Sequence, residues 1–230
     1  MLKGIDISSW QGDINLSPLP IDFCIVKSTE GLSYLNPYFK SKIELARKCG
    51  MLIGTYHYAR NNNPEQEAQW FIDNIIDYLG LAIPVLDWEE DQDVEWVNRF
   101  VRYFKNKTGI WCWIYANPWR FNQGGVEENC DRWVAAYPNV VAPSIDYDPG
   151  RVPATDGSVC CWQFASDGRV NGYDGGLDVS HFYGDKLAWL SYAKGSPYTD
   201  NDNTQITPPI ENPNTTTLEN DKYIVTIKEK

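Results

Sequence analysis

Three times between Phe23 and Lys105 a strand-length apolar run gives way to a stretch of helical spacing. Phe23 to Lys27 precedes Pro37 to Cys49, Leu52 to Tyr58 precedes Pro64 to Tyr78, and Ile83 to Trp88 precedes Val94 to Lys105. Proline opens the first two helical stretches and Gly50 stops the first, as helix ends prefer. Lys3 to Ile7 in front and Trp111 to Ala116 behind read as further strands. Such alternation calls for parallel strands joined by helical crossovers, an α/β architecture. After Asp131 the pattern loosens. Arg132 to Tyr137, Val159 to Phe164 and Leu177 to Val179 look like strands separated by Gly- and Pro-containing loops, with one last helix from Asp185 to Tyr192. The second half of the sheet or barrel is therefore expected to be less regular than the first.

After Gly195 the composition changes. Ser196 to Asp221 is rich in Pro, Asn, Thr and Asp, which is linker chemistry. Lys222 to Lys228 then alternates like a single strand, and one strand cannot fold alone. The expected organisation is a domain over 1–195, a linker over 196–221 and a strand-like tail over 222–230. That tail would pair with a partner chain or belong to a further module. A 230-residue chain that is 43% hydrophobic has enough apolar material for one sizeable core. Its formal charge of -11 argues against a nucleic-acid partner, which needs a basic footprint. No apolar stretch approaches the roughly 20 residues that span a membrane. The six cysteines fall in no zinc or redox spacing and read as buried thiols. No cofactor and no bound metal is expected.

The chemistry concentrates at the ends of the strands, where α/β folds gather functional groups. The run Ile83-Pro84-Val85-Leu86 ends in Asp87-Trp88-Glu89-Glu90. With a period of two, Asp87 and Glu89 face the same side. Paired carboxylates beside a tryptophan suit acid/base work on a sugar bond, because each neighbour's charge helps hold a proton on the other. Solvated acids at a strand end are the plainer reading of the pair alone. Asp6 and Asp178 close two further strands, so four acids are expected to meet, ringed by tyrosines and tryptophans. Ten Trp and fourteen Tyr supply material for a groove that packs on sugar faces, or for the core. Trp10, Trp88 and Trp133 are open between the two. Glu30 and Glu90 are read as ion-paired or solvated, Lys27 as an ion-pair partner, His57 as a satisfied core group and His181 as a surface residue.

Several runs, in order from Met1 to Gly195, resemble the glycoside hydrolase family 25 lysozymes, the Chalaropsis-type muramidases that include phage endolysins. They are Gly4-Ile5-Asp6-Ile7-Ser8-Ser9-Trp10-Gln11-Gly12, Phe23 to Gly31, Gly54-Thr55-Tyr56-His57-Tyr58-Ala59, Asp87-Trp88-Glu89, Trp133 to Tyr137, Trp162-Gln163-Phe164 and Leu177-Asp178-Val179. The resemblance implies a flattened, irregular β/α barrel of TIM-barrel type. It also implies hydrolysis of the β-1,4 bond between N-acetylmuramic acid and N-acetylglucosamine in peptidoglycan, for bacterial lysis. It casts Glu89 as the general acid, Asp87 as its close partner, and Asp6 and Asp178 as the outer acids. Tyr56, Tyr115, Tyr137 and Trp162 become the residues that touch sugar.

The second step stays open between a water-activating base, a carboxylate nucleophile and attack by the sugar's own N-acetyl group, the last being favoured. Two other functions compete with hydrolysis: a catalytically dead barrel that binds wall glycans, and a divalent-cation site built from the acids. The first residues show no basic n-region, apolar h-region or cleavage site. The expectation is synthesis in a host cytoplasm and release to the wall by outside help.

Overall fold

The computed structural model describes residues 1–195, 215–220 and 223–228. The chain divides into two units, Met1–Tyr198 and Thr199–Lys230.

In the first unit eight strands close into a barrel. They are β1 (Leu2–Ile7), β2 (Phe23–Glu30), β4 (Leu52–Tyr58), β5 (Ile83–Asp87), β6 (Trp113–Ala116), β7 (Arg132–Ala135), β8 (Val159–Gly168) and β9 (Leu177–Phe182). The short β3 (Tyr34–Leu35) adds to the outside of β2. Around the ring the order is β1-β9-β8-β7-β6-β5-β4-β2, and β2 pairs back onto β1. The strands from β1 through β8 run parallel to their barrel neighbours, whereas β9 is antiparallel to both β8 and β1. The α/β barrel reading therefore holds, and the irregularity sits in the second half, as expected. There β8 is ten residues long and its register with β9 shifts twice.

Helices α1 (Phe39–Lys48), α2 (Pro64–Ile75) and α3 (Val94–Thr108) cross over between the first parallel strands. Their ends are set locally. Asn63 accepts from Gln66 N at 3.0 Å with Pro64 in the first turn, Asp93 accepts from Trp96 N at 2.8 Å, and Gly109 ends α3 at φ 77°. The short α4 (Pro118–Phe121) follows β6, and α5 (Lys186–Lys194) follows β9.

Period-two alternation sorts the strand residues into two cores. Outward residues such as Cys24, Val26, Leu86, Ile114, Val134, Trp162 and Phe164 pack in the helix-facing core. Inward residues such as Phe23, Ile25, Ile83, Val85, Trp113, Trp133 and Phe182 fill the barrel. Two inward positions are glycine because the barrel has no room for more. A Cβ on Gly4 would lie 2.3 Å from Phe23 Cδ2, and one on Gly54 would lie 2.9 Å from Ile25 Cγ1. From α5, Trp189 packs against Phe23 at 4.6 Å between ring centroids, tilted by 32°, and donates Nε1 to Ile53 O at 3.0 Å. One end of the barrel is thus plugged by packing, and the polar groups gather at the other.

Two expectations need correction. His181 is not a surface residue: it is buried, hydrogen-bonds Ile145 O at 3.0 Å and packs against Phe164. It points outward from β9, but the segment carrying Ile145 covers that face. The tail strand is not alone either. In the second unit β11 (Tyr223–Lys228) pairs antiparallel with β10 (Thr215–Asn220), from Thr215 opposite Lys228 to Asn220 opposite Tyr223. β10 lies inside the stretch read as linker, whose Thr-rich run has the β-branching that strands accept. The remainder of the linker, 196–214 and 221, lies outside the described residues.

Candidate active site

A cleft of about 330 Å³ opens where the parallel strands end. All four acids line it: Asp6 from β1, Asp87 from the end of β5, Glu89 just beyond, and Asp178 from the start of β9. Because β9 runs antiparallel, its first residues lie beside the last residues of β1, and Asp178 pairs in register with Asp6. Of the four aromatic residues expected there, Tyr56, Tyr115 and Tyr137 line the cleft. Trp162 points into the helix-facing core instead and donates Nε1 to Ala136 O at 2.6 Å, fixing the backbone that carries Tyr137. Trp88 is core, Trp133 is buried at the cleft floor with Nε1 on Ser180 Oγ at 3.1 Å, and Trp10 stands at the rim.

The residue that sequence reasoning passed over is Gln163. Its Oε1 accepts from Tyr115 OH at 2.7 Å and Tyr137 OH at 2.6 Å, and its Nε2 donates to Asp6 Oδ2 at 2.8 Å. Two phenols that donate to one amide oxygen leave the amide nitrogen for the carboxylate, so the side chain has one consistent orientation. A glutamine inside the apolar run Val159 to Ala165 was the available signal, and strand parity turns it inward as it turns Trp162 out.

Burial and mutual repulsion load the cluster with protons. Burial pushes Asp6 well above the usual carboxylate range, with Asp178 adding repulsion and the Gln163 amide opposing. Burial, then the charge of Glu89, pushes Asp178 up to about 6. Asp87, at the floor, is raised well above the ordinary value by burial, then by Glu89, against the opposing charge of Lys27. Its Oδ1 has no hydrogen-bond partner among the described residues. Glu89 is raised as well, by burial first, while Arg120 opposes. Arg120 donates to the Glu89 carbonyl at 2.6 Å, which ties the segment after β5 to α4.

Lys27 supplies the cleft wall's positive charge. Its Nζ pairs with Glu30 at 2.6 Å and lies 4.6 Å from the Tyr58 ring centroid. Glu30 also takes Arg60 Nε at 2.8 Å, and Arg60 pairs with Glu90, which accepts from Tyr58 OH at 3.1 Å. Glu30 and Glu90 are thus ion-paired, as their positions suggested. His57 is a satisfied core group, with Nδ1 at 2.8 Å from Thr29 Oγ1 and Nε2 at 2.9 Å from Glu67. Among the described residues no three or more His, Cys, Asp or Glu are grouped so as to hold a metal ion, and no helix is long and apolar enough to cross a membrane.

Asp178 gives the cluster a measurable cost. A carboxyl whose folded value is raised binds more protons in the native state than in the unfolded one, so stability falls as pH rises from about 4 through about 6. Asp178→Asn is expected to raise stability at pH 7 by on the order of 2 kcal/mol and to change little near pH 3, where the aspartate is largely neutral in both the folded and the unfolded chain. Thermal unfolding at the two pH values checks this. Equal Tm for both proteins at pH 7 would remove the assigned cost of burying the Asp178 charge beside Glu89.

Known proteins resemble this chain in sequence and in fold. Residues 5–173 match the family described as Glycosyl hydrolases family 25. The "Autolytic lysozyme" of Clostridium acetobutylicum is 32% identical over 192 residues, covering 79% of this chain and 56% of that protein. This chain therefore spans little more than half the length of that curated relative. The bacterial lysozyme of Streptomyces coelicolor superposes with a TM-score of 0.70 at 25% identity, over 85% of this chain and 98% of that one. The catalytic domain of an endolysin from a Listeria monocytogenes bacteriophage gives 0.67 at 26% identity, over 85% and 98%. With the family match running from β1 across the strands that carry Asp6, Asp87, Glu89 and Gln163, this chain belongs to glycosyl hydrolase family 25.

Proposed function

We propose that this protein is a peptidoglycan hydrolase, a muramidase that cleaves the β-1,4 bond between N-acetylmuramic acid and N-acetylglucosamine. The observation that carries the reading is Asp87 and Glu89 in one aromatic-walled cleft, one buried with an orphaned oxygen and the other at the opening. The kinship with lysozymes and a phage endolysin supports the substrate class and an action on the bacterial wall. The non-catalytic glycan-binding reading is not favoured, because both carboxylates are in place.

Two repelling carboxyls share a proton at neutral pH. In the free cleft the more deeply buried Asp87 holds it. A bound sugar brings an acetamido N–H, and donation of that N–H to the orphaned Oδ1 favours the Asp87 carboxylate. The proton then belongs on Glu89, which protonates the leaving oxygen. The acetamido oxygen, oriented by Asp87, attacks the anomeric carbon as the bond breaks, and water opens the resulting ring on the vacated face with Glu89 as base. Two displacements retain the anomeric configuration. Proton NMR of the first product formed from a soluble glycan fragment is expected to show the β anomer. An initial α anomer would eliminate the N-acetyl route, and no soluble product from purified peptidoglycan would eliminate the hydrolase.

A further inference from the structure

We propose that the indole of Trp10 is the floor of an outer sugar subsite, on the side of the cleft away from Glu89. The inference rests on the reading of the cleft as a glycan site.

Trp10 is 92% exposed, yet it belongs to the cleft wall. A tryptophan left almost wholly in water gains nothing from the core, and the turn that carries it is held firmly. Ser8 Oγ accepts from Trp10 N at 3.2 Å, and Gln11 Oε1 reaches back to Ser8 N at 2.8 Å, a reciprocal cap on the short 3-10 turn Ser9–Gln11. Tyr34 OH donates to Ser9 Oγ at 3.2 Å, and Trp70 Nε1 donates to Tyr34 O at 3.2 Å, so the turn is braced by β3 and, through it, by α2. The loop is built to present a flat apolar face in a fixed place. Tyr34, 37% exposed and with Lys27 Nζ 5.6 Å from its ring centroid, continues that side of the rim.

The occupant follows from continuity with the cleft. In the ring of strands β1 stands three places from β5 in one direction and five in the other. A sugar whose linkage is attacked beside Glu89 therefore lies across the barrel mouth from Trp10, and the ring that reaches the indole belongs to another residue of the same strand. The flat face of a pyranose is apolar and its edge is hydroxylated. Trp10 takes the face, while the Gln11 side-chain amide nitrogen in the same wall, which the cap does not use, is a donor for the edge. Trp10 adds affinity for longer strands and takes no part in bond breaking.

The test uses the full chain and peptide-free glycan oligomers of graded length. Titration calorimetry on the Glu89→Gln background reads binding whether or not the wild type hydrolyses these oligomers. Trp10→Ala is expected to weaken binding of the longest oligomers about five- to tenfold, from a stacking contact worth roughly 1 kcal/mol, and to flatten the gain of affinity with length. Trp10→Phe is expected to restore most of that gain. On the active background the loss is expected in KM, with kcat preserved. An equal loss for every length, a loss confined to kcat, or no loss at all would overturn the subsite. Matched Tm values separate these results from damage to the turn. Absence of hydrolysis by the wild type, with length-dependent binding intact, would sink the muramidase reading and leave the subsite standing.

Discussion

Glu89→Gln is expected to lower kcat on peptidoglycan by about 10³-fold, within the 10²–10⁴ range that a positioned general acid contributes. The amide keeps the shape of the carboxyl and loses the transferable proton. KM should change little, because the Tyr56, Tyr115 and Tyr137 walls remain. Tm should hold or rise, because Glu89 is a source of repulsion for Asp87 and Asp178. Dye release from labelled walls together with thermal unfolding reads both quantities. Activity within a few-fold of wild type would take the proton away from Glu89, and loss of binding without loss of kcat would make it a contact rather than an acid.

The largest effect on stability is expected at Arg132, far less conspicuous in the sequence than the acids. This arginine is 1% exposed. Its guanidinium donates to four backbone carbonyls: Glu127 at 2.9 Å, Val126 and Asp156 at 3.2 Å, and Cys130. It also lies 5.5 Å from the Phe121 ring centroid. A single side chain therefore holds the connection before β7 and the turn before β8. Arg132→Met fills much of the volume and leaves those carbonyls without donors, at a cost of about 3–5 kcal/mol. For a domain of this size that is a Tm decrease of roughly 10 °C or more. The residual kcat of the folded protein at low temperature should stay near wild type, since Arg132 lines no part of the cleft. A Tm within 2–3 °C of wild type would show that the carbonyls find other partners.

What could be read from the sequence was what period-two and helical spacing encode. The strand–helix alternation located β2, β4, β5 and β6, and the strand ends named all four acids. Asp87 and Glu89 share the cleft although the strand stops at Asp87 and Glu89 follows it. What local spacing does not show is which residues face inward in the irregular half. Trp162 and Gln163 are neighbours, and the family resemblance casts Trp162 as the sugar contact. Only the register of β8 against β7, with Ala135 opposite Gln163, shows which of the two faces in. His181 failed for a related reason, since exposure of an outward face depends on a distant segment that folds over it. The plug formed by α5 was also hidden, because nothing local says that Trp189 meets Phe23 and Trp113 at the barrel's end. The hairpin partner of the tail was hidden by its composition, as Thr, Asn and Glu are as common in linkers as in a two-stranded ribbon.

The most direct test of the central claim is the chemical identity of the ends this protein makes. Purified peptidoglycan is digested, the new reducing ends are converted to alditols with borohydride, and the fragments are identified by mass spectrometry. The account predicts fragments that end in reduced N-acetylmuramic acid, abolished in Glu89→Gln. Fragments ending in reduced N-acetylglucosamine would contradict it, since the acid would then be cleaving the other linkage of the strand.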